Sequence, residues 1–174
     1  MKIENTQIAA SLLIYKLASD PKLTPIFDLD GVLLSAEHRI KLKPCGALDL
    51  DHYRENTTAH QVAQDRDLPL LSVVHWLNQA GRVYHVATAR IPCEFTRARL
   101  RASQINPLIL MGRDGHTDRR GDAILKAEKI AANFKPWELG DLILVDDLES
   151  NCEAARSLGL GSVHVLTDHG ILIR

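Results

Sequence analysis

Four carboxylates open the chemical reading of this chain. Asp28 and Asp30 stand in the run FDLDGV, and Asp146 and Asp147 in LVDDLESN; each pair directly follows a short apolar stretch. A third apolar stretch ends in Thr88-Ala89-Arg90, within VATAR. Carboxylates gathered in one place repel one another and need a cation, and an all-oxygen site suits magnesium. Such a cation neutralises a phosphoryl group under attack by an anion. The Thr88 hydroxyl can hydrogen-bond a phosphoryl oxygen, and Lys126 can supply positive charge. The parts suit phosphoryl transfer, where positioning and charge neutralisation supply most of the catalysis. Asp-x-Asp alone is common in loops; joint placement at several strand ends is what gives the pattern its weight.

The elements that must position these groups follow from periodicity. Residues 24–29, 83–87, 108–111, 142–145 and 162–166 read as short apolar strands. Helical patterns separate them: one from Pro69 to Gly81, one over 94–103, one over 122–133, and one that begins at Ser150 or Asn151 and ends at Gly159. This alternation predicts an α/β fold, a doubly wound parallel sheet with helices on both faces. Ligands in such a sheet bind at the carboxyl ends of the strands, where all three polar clusters would lie. Residues 35–66 are long for a plain loop, so a small helical cap or flap is expected there, with a helix around 53–64. At the N-terminus, Ile8, Leu12, Leu13 and Leu17 recur at helical spacing, with Asn5 or Thr6 available as cap. Interrupted by Lys16, this stretch is too short to cross a bilayer and predicts an amphipathic helix packed on the core.

At 174 residues the chain is expected to form one domain over 1–174, with 35–66 as its insertion. A formal net charge of −1 announces no nucleic-acid binder, although a local basic patch could still provide the field. Cys45, Cys93 and Cys152 are isolated, without a CxxC pair, which argues against a zinc ribbon or a disulfide framework and fits a reducing cytoplasm.

From Phe27 to Val165 the sequence resembles the haloacid dehalogenase superfamily of phosphotransferases, whose fold is Rossmann-like. FDLDGV matches the first motif, VATAR the second, Lys126 the third and the LVDDLESN pair the fourth, in the right order and spacing. The resemblance implies that Asp28 is the nucleophile and becomes an aspartyl-phosphate. Asp30 would protonate the leaving oxygen and then deprotonate water. Magnesium would be held by Asp28, Asp146 and the main-chain carbonyl of Asp30, with Asp147 orienting metal-bound water or Lys126. Thr88 and Lys126 would bind the phosphoryl oxygens.

The chain is also similar to the phosphatase domain of phage polynucleotide kinase-phosphatases. Arg39 occupies the place of a flap arginine, Thr88-Ala89-Arg90 stands for Ser/Thr-Gly-Arg, and Asp118-Arg119-Arg120-Gly121-Asp122 runs on to Lys126. Ala89 in place of Gly and Val32 in place of Thr are the departures. Arg39, Arg90 and Arg120 would then face the substrate, and Asp122 would orient one of these cations. No GxxxxGK[ST] loop occurs, so no kinase activity is expected. Removal of 3′-phosphates from polynucleotide ends is the function this likeness implies. A 5′-nucleotidase or general small-molecule phosphatase would use the same residues. A non-catalytic binding protein is the weakest reading, because no catalytic group is missing.

Overall fold

The computed structural model describes residues 2–3, 6–45, 49–166 and 171–173. A central seven-stranded sheet is built from β1 (Lys2–Ile3), β2 (Thr24–Phe27), β5 (His85–Ala87), β6 (Ile109–Met111), β7 (Leu142–Asp146), β8 (Gly161–Val165) and β9 (Ile171–Ile173). A second ladder joins β3 (Leu34–Ser35) to β4 (Arg66–Asp67). The helices are α1 (Thr6–Ser19), α2 (Leu50–Glu55), α3 (Ala59–Ala63), α4 (Leu71–Gln79), α5 (Glu94–Ala102), α6 (Asp122–Asn133) and α7 (Glu149–Leu158).

The sheet order is β1-β9-β8-β7-β2-β5-β6. The five strands expected from sequence are the parallel ones, β8-β7-β2-β5-β6. They are short and mostly apolar because both faces are covered. Alternate residues serve opposite faces. Phe27, Val86 and Val145 pack with Leu13 and Leu17 of α1 and with Val73 and Leu77 of α4. Ile26, Ala87 and Leu144 pack with Ile130 of α6 and Ala155 of α7. From β2 the chain proceeds to β5 on one side, while β7 pairs on the other. The strand order therefore reverses between β2 and β7, and this switch point opens a crevice at their carboxyl ends. That is the doubly wound, Rossmann-like α/β fold expected from sequence.

Several details depart from the sequence expectations. The two terminal strands β1 and β9 extend the sheet antiparallel beyond β8, and they are too short to carry a periodic signal. Between β3 and β4 the expected helix at 53–64 is two helices, because the Thr58 side chain accepts from the Gln61 amide and starts a new one. The last helix begins at Glu149, ahead of the expected Ser150 or Asn151, where Asp146 Oδ1 accepts the Leu148 amide. It ends at Gly159, whose φ of 97° is the left-handed cap conformation. In α1, Leu13 and Leu17 are buried as expected, but Ile8 faces solvent and Ala9 takes the core position. Asn5 and the side chain of Thr6, the expected caps, lie outside the described residues. None of the described helices is long and apolar enough to cross a membrane.

Candidate active site

Asp28 is the first residue beyond β2, and its amide still donates to Val145 O across the ladder at 2.9 Å. The chain then turns sharply through Asp30-Gly31, with Leu33 and Leu34 amides both donating to Leu29 O. Gly31 has a φ of 81°, a conformation that glycine adopts without steric cost. A Cβ there would sit 2.1 Å from Asp147 Oδ2. The glycine of the first motif is thus needed both for the turn and for the close approach of the fourth.

Lys126 lies one turn inside α6 and is buried with its Nζ among carboxylates. It is 2.7 Å from Asp146 Oδ2, 3.1 Å from Asp28 Oδ2 and 3.1 Å from Asp122 Oδ2. Asn151, on α7, donates to Asp146 Oδ1 at 2.8 Å and is 2.9 Å from Asp122 Oδ2. Burial, then the neighbouring acids, push Asp28 well above its usual value, with Lys126 pulling the other way. Asp147 is raised to about 6, by burial and by Asp146. Burial disfavours the Lys126 ammonium, but Asp28, Asp146 and Asp122 outweigh it and raise that group.

Ligand oxygens of Asp28, Asp146 and Asp147 lie within 4.8 Å of one another. Asp28 Oδ1 is buried and has no hydrogen-bond partner. An unsatisfied buried carboxylate oxygen facing two further carboxylates fits a hard divalent cation such as magnesium. The carboxylate of Asp30 stays out of this group. It receives Arg90 Nε at 2.8 Å, Arg90 Nη2 at 2.5 Å and the Tyr53 hydroxyl at 3.1 Å. Burial pushes Asp30 up, yet Arg90 more than offsets it, and the carboxyl is held below its ordinary value.

Behind Asp30 lies a buried charge ladder. Asp65 accepts Arg39 Nε at 2.9 Å and Arg39 Nη2 at 3.0 Å, and it is ion-paired with Arg90 Nη1 at 2.7 Å. Arg39 also stacks on the Tyr53 ring, 4.6 Å from its centroid, and donates to Thr57. Thr88, buried after β5, accepts the Arg90 amide at 3.2 Å.

The structure therefore gathers Asp28, Lys126, Asp122, Asp146 and Asp147 directly, and it ties Asp30 to Arg90. It does not bring Arg120 to them. That guanidinium is held by Asp118, Asp114 and Glu128. Arg39, expected to face substrate, points instead into the buried pairing with Asp65. Asp65, Tyr53 and Asn151 were not singled out by the sequence reading. Asn151 carried a signal, since it falls in the first turn of the helix that follows the acidic pair. Asp65 carried none, because its partners Arg39 and Arg90 are distant in sequence.

Above Asp28 and Asp30 lies a cavity of about 290 Å³. Its walls include Ile40, Tyr53 and Arg54 from the stretch between β3 and β4, Ile91 and Phe95 near α5, and Leu148.

The model of the family described as "Bacteriophage T5 5′-deoxynucleotidase" matches residues 19–167. No curated protein matches the chain. Among solved structures, one of the Pnkp1/Rnl/Hen1 complex aligns at 24% identity and a TM-score of 0.63, over 83% of this chain and 46% of that one. One of the Pnkp1/Rnl/Hen1 RNA repair complex aligns at 25% identity and 0.61, over 82% and 42%. The chain thus spans less than half the length of those two. A haloacid dehalogenase-like hydrolase from Streptococcus pneumoniae shares the fold, with 14% identity, a TM-score of 0.58, and 82% and 84% coverage. This chain belongs to the bacteriophage T5 5′-deoxynucleotidase family and shares the fold of haloacid dehalogenase-like hydrolases.

Proposed function

We propose that this chain removes the 5′-phosphate of a deoxynucleoside monophosphate through an aspartyl-phosphate on Asp28. The observation that carries this reading is how the arginines are used. Arg39, Arg90 and Arg120, the cations a nucleic-acid strand would need, are each neutralised by acids of the chain itself. The cavity over Asp28 is walled instead by side chains such as Ile40, Ile91, Phe95 and Leu148, which suit one nucleoside. The family match points the same way.

In this mechanism an Asp28 carboxylate oxygen attacks phosphorus, and the bond from phosphorus to the sugar oxygen breaks. Asp30 gives its proton to that oxygen. Arg90 holds Asp30 ionised in the free protein, so the proton comes to Asp30 when a phosphoryl anion arrives beside it and raises its proton affinity. The resulting carboxylate then takes a proton from the water that attacks phosphorus. Inorganic phosphate leaves and the Asp28 carboxylate is restored. Lys126 and Thr88 hold phosphoryl oxygens, and Asp122 with Asn151 keeps the ammonium and Asp146 in place. Magnesium bound by Asp28, Asp146, Asp147 and the Asp30 carbonyl would neutralise the phosphoryl charge. The insertion at 35–66 acts as the cap of a single domain over 1–174.

A second reading, removal of 3′-phosphates from polynucleotide ends, is favoured by the likeness to the RNA repair complex chain. A panel of 5′-deoxynucleotides, 3′-phosphorylated oligonucleotides and 5′-phosphorylated oligonucleotides separates the two. We expect the highest kcat/KM for the mononucleotides. A higher value for 3′-phosphorylated ends would overturn the proposal and leave the Asp28 chemistry standing.

A further inference from the structure

Arg54 is less closely paired than the other arginines around the cavity. It comes from α2 of the insertion and lines the cavity, yet its Nη1 is buried without a hydrogen-bond partner. Asp51 Oδ1, at 3.6 Å, makes an ion pair beyond hydrogen-bonding distance. Arg90 and Arg113 line the same cavity but are more closely engaged, Arg90 by Asp30 and, through an Nη1 that also lacks a hydrogen bond, by an ion pair with Asp65 at 2.7 Å, and Arg113 by the carbonyls of Asp118 and Arg120. Arg54 thus offers a donor with no acceptor to meet it.

The apolar part of the wall is also unusual. Ile40, Phe95 and Leu148 line the cavity while remaining 44%, 37% and 46% exposed. Three large apolar side chains left half-open around one cavity make a seat for a flat apolar surface. A nucleobase has such a surface, and its edge acceptors need partners once it leaves water. A guanidinium is donor-only and suits a carbonyl oxygen.

We propose that Arg54 is a specificity-determining residue that donates to a carbonyl oxygen of the base of a nucleoside monophosphate seated on Ile40, Phe95 and Leu148. This rests on the nucleotidase reading above. It predicts a preference for thymine, guanine and cytosine over adenine, the one common base without an exocyclic carbonyl.

Steady-state kinetics of the full chain and of Arg54→Met and Arg54→Lys test it, with dTMP, dGMP, dAMP and p-nitrophenyl phosphate as substrates. Arg54→Met should raise KM for dTMP and dGMP roughly tenfold to a hundredfold with kcat little changed, the size expected for one lost charged hydrogen bond. It should leave dAMP and p-nitrophenyl phosphate within about twofold, and Arg54→Lys should recover part of the dTMP affinity. If Arg54→Met lowers p-nitrophenyl phosphate turnover as well, its dTMP-to-dAMP ratio of kcat/KM decides, and a ratio equal to wild type overturns the assignment. Wild-type turnover of dTMP with an unchanged KM in Arg54→Met overturns the assignment alone. Wild-type turnover of p-nitrophenyl phosphate without any deoxynucleotide overturns this assignment and the nucleotidase reading together.

Discussion

The crevice at the ends of β2 and β7 and the insertion between β3 and β4 handle buried charge in opposite ways. In the crevice, Asp28, Asp122, Asp146 and Asp147 share the single ammonium of Lys126. Acids outnumber their partner, an oxygen of Asp28 is left without one, and Asp28 and Asp147 are pushed up. Where the insertion meets the core, Arg39 and Arg90 alternate with Asp65 and Asp30, and cations match anions. An unbalanced cluster holds free energy ready for a cation and a phosphoryl group, whereas a balanced one is already satisfied and serves to hold structure. Sequence groups the crevice acids at strand ends but gives no sign that Asp65 pairs with Arg39 and Arg90.

The comparison breaks most sharply at Asp28. Asp28→Asn should lower turnover by roughly 10⁵-fold, since the nucleophile is gone. The same change relieves like-charge repulsion, so the melting temperature should rise or stay level. A variant that loses activity because it melts earlier would place Asp28 in the scaffold. Chelator should remove turnover of every substrate, and added magnesium should restore it; full turnover in chelator would mean the crevice needs no cation.

Asp30 lies where the two regions meet. Asp30→Asn should cost roughly 10² to 10³-fold on a deoxynucleotide and clearly less on p-nitrophenyl phosphate, whose leaving group needs little protonation. Equal losses on both would assign Asp30 to the charge ladder and not to acid catalysis.

For the insertion the expected effect is on stability. Asp65→Asn leaves Arg39 and Arg90 without their shared carboxylate, and breaking a buried pair in this way costs about 3–5 kcal/mol. Denaturant unfolding reads this directly, and an unchanged midpoint would show that the ladder carries no stability. The smallest effect is expected at Arg120, which is held by Asp114, Asp118 and Glu128 and not by the acids of the crevice. Arg120→Ala should keep kcat/KM within about twofold on mononucleotides, as surface changes do. A large loss confined to oligonucleotides would favour the strand-end reading instead.

The fold was legible because each parallel strand is a continuous apolar run bounded by polar turns, and each helix carries its own apolar stripe. The runs at 24–29 and 142–145 could be placed as strands without knowing their neighbours. The strands β1 and β9 were not legible, since two or three residues hold no period. The helix expected at 53–64 was placed too long because a cap at Thr58, not hydrophobicity, decides where one helix stops and the next begins.

Sequence by itself determined the alternation of strand and helix and the placing of Asp28, Thr88 and Asp146-Asp147 at the carboxyl ends of strands. These follow from local rules of period, turn and chain direction. Only the tertiary structure decided how the charges are spent. Arg39 reaches Asp65 across 26 residues and Arg90 reaches Asp30 across 60. Whether a guanidinium is free for substrate depends on which acid the fold sets against it, and no spacing along the chain encodes that choice. For the same reason Arg54, in no motif, keeps an unpartnered Nη1 at the cavity wall, while Arg120, in a motif, is bound by its own neighbours.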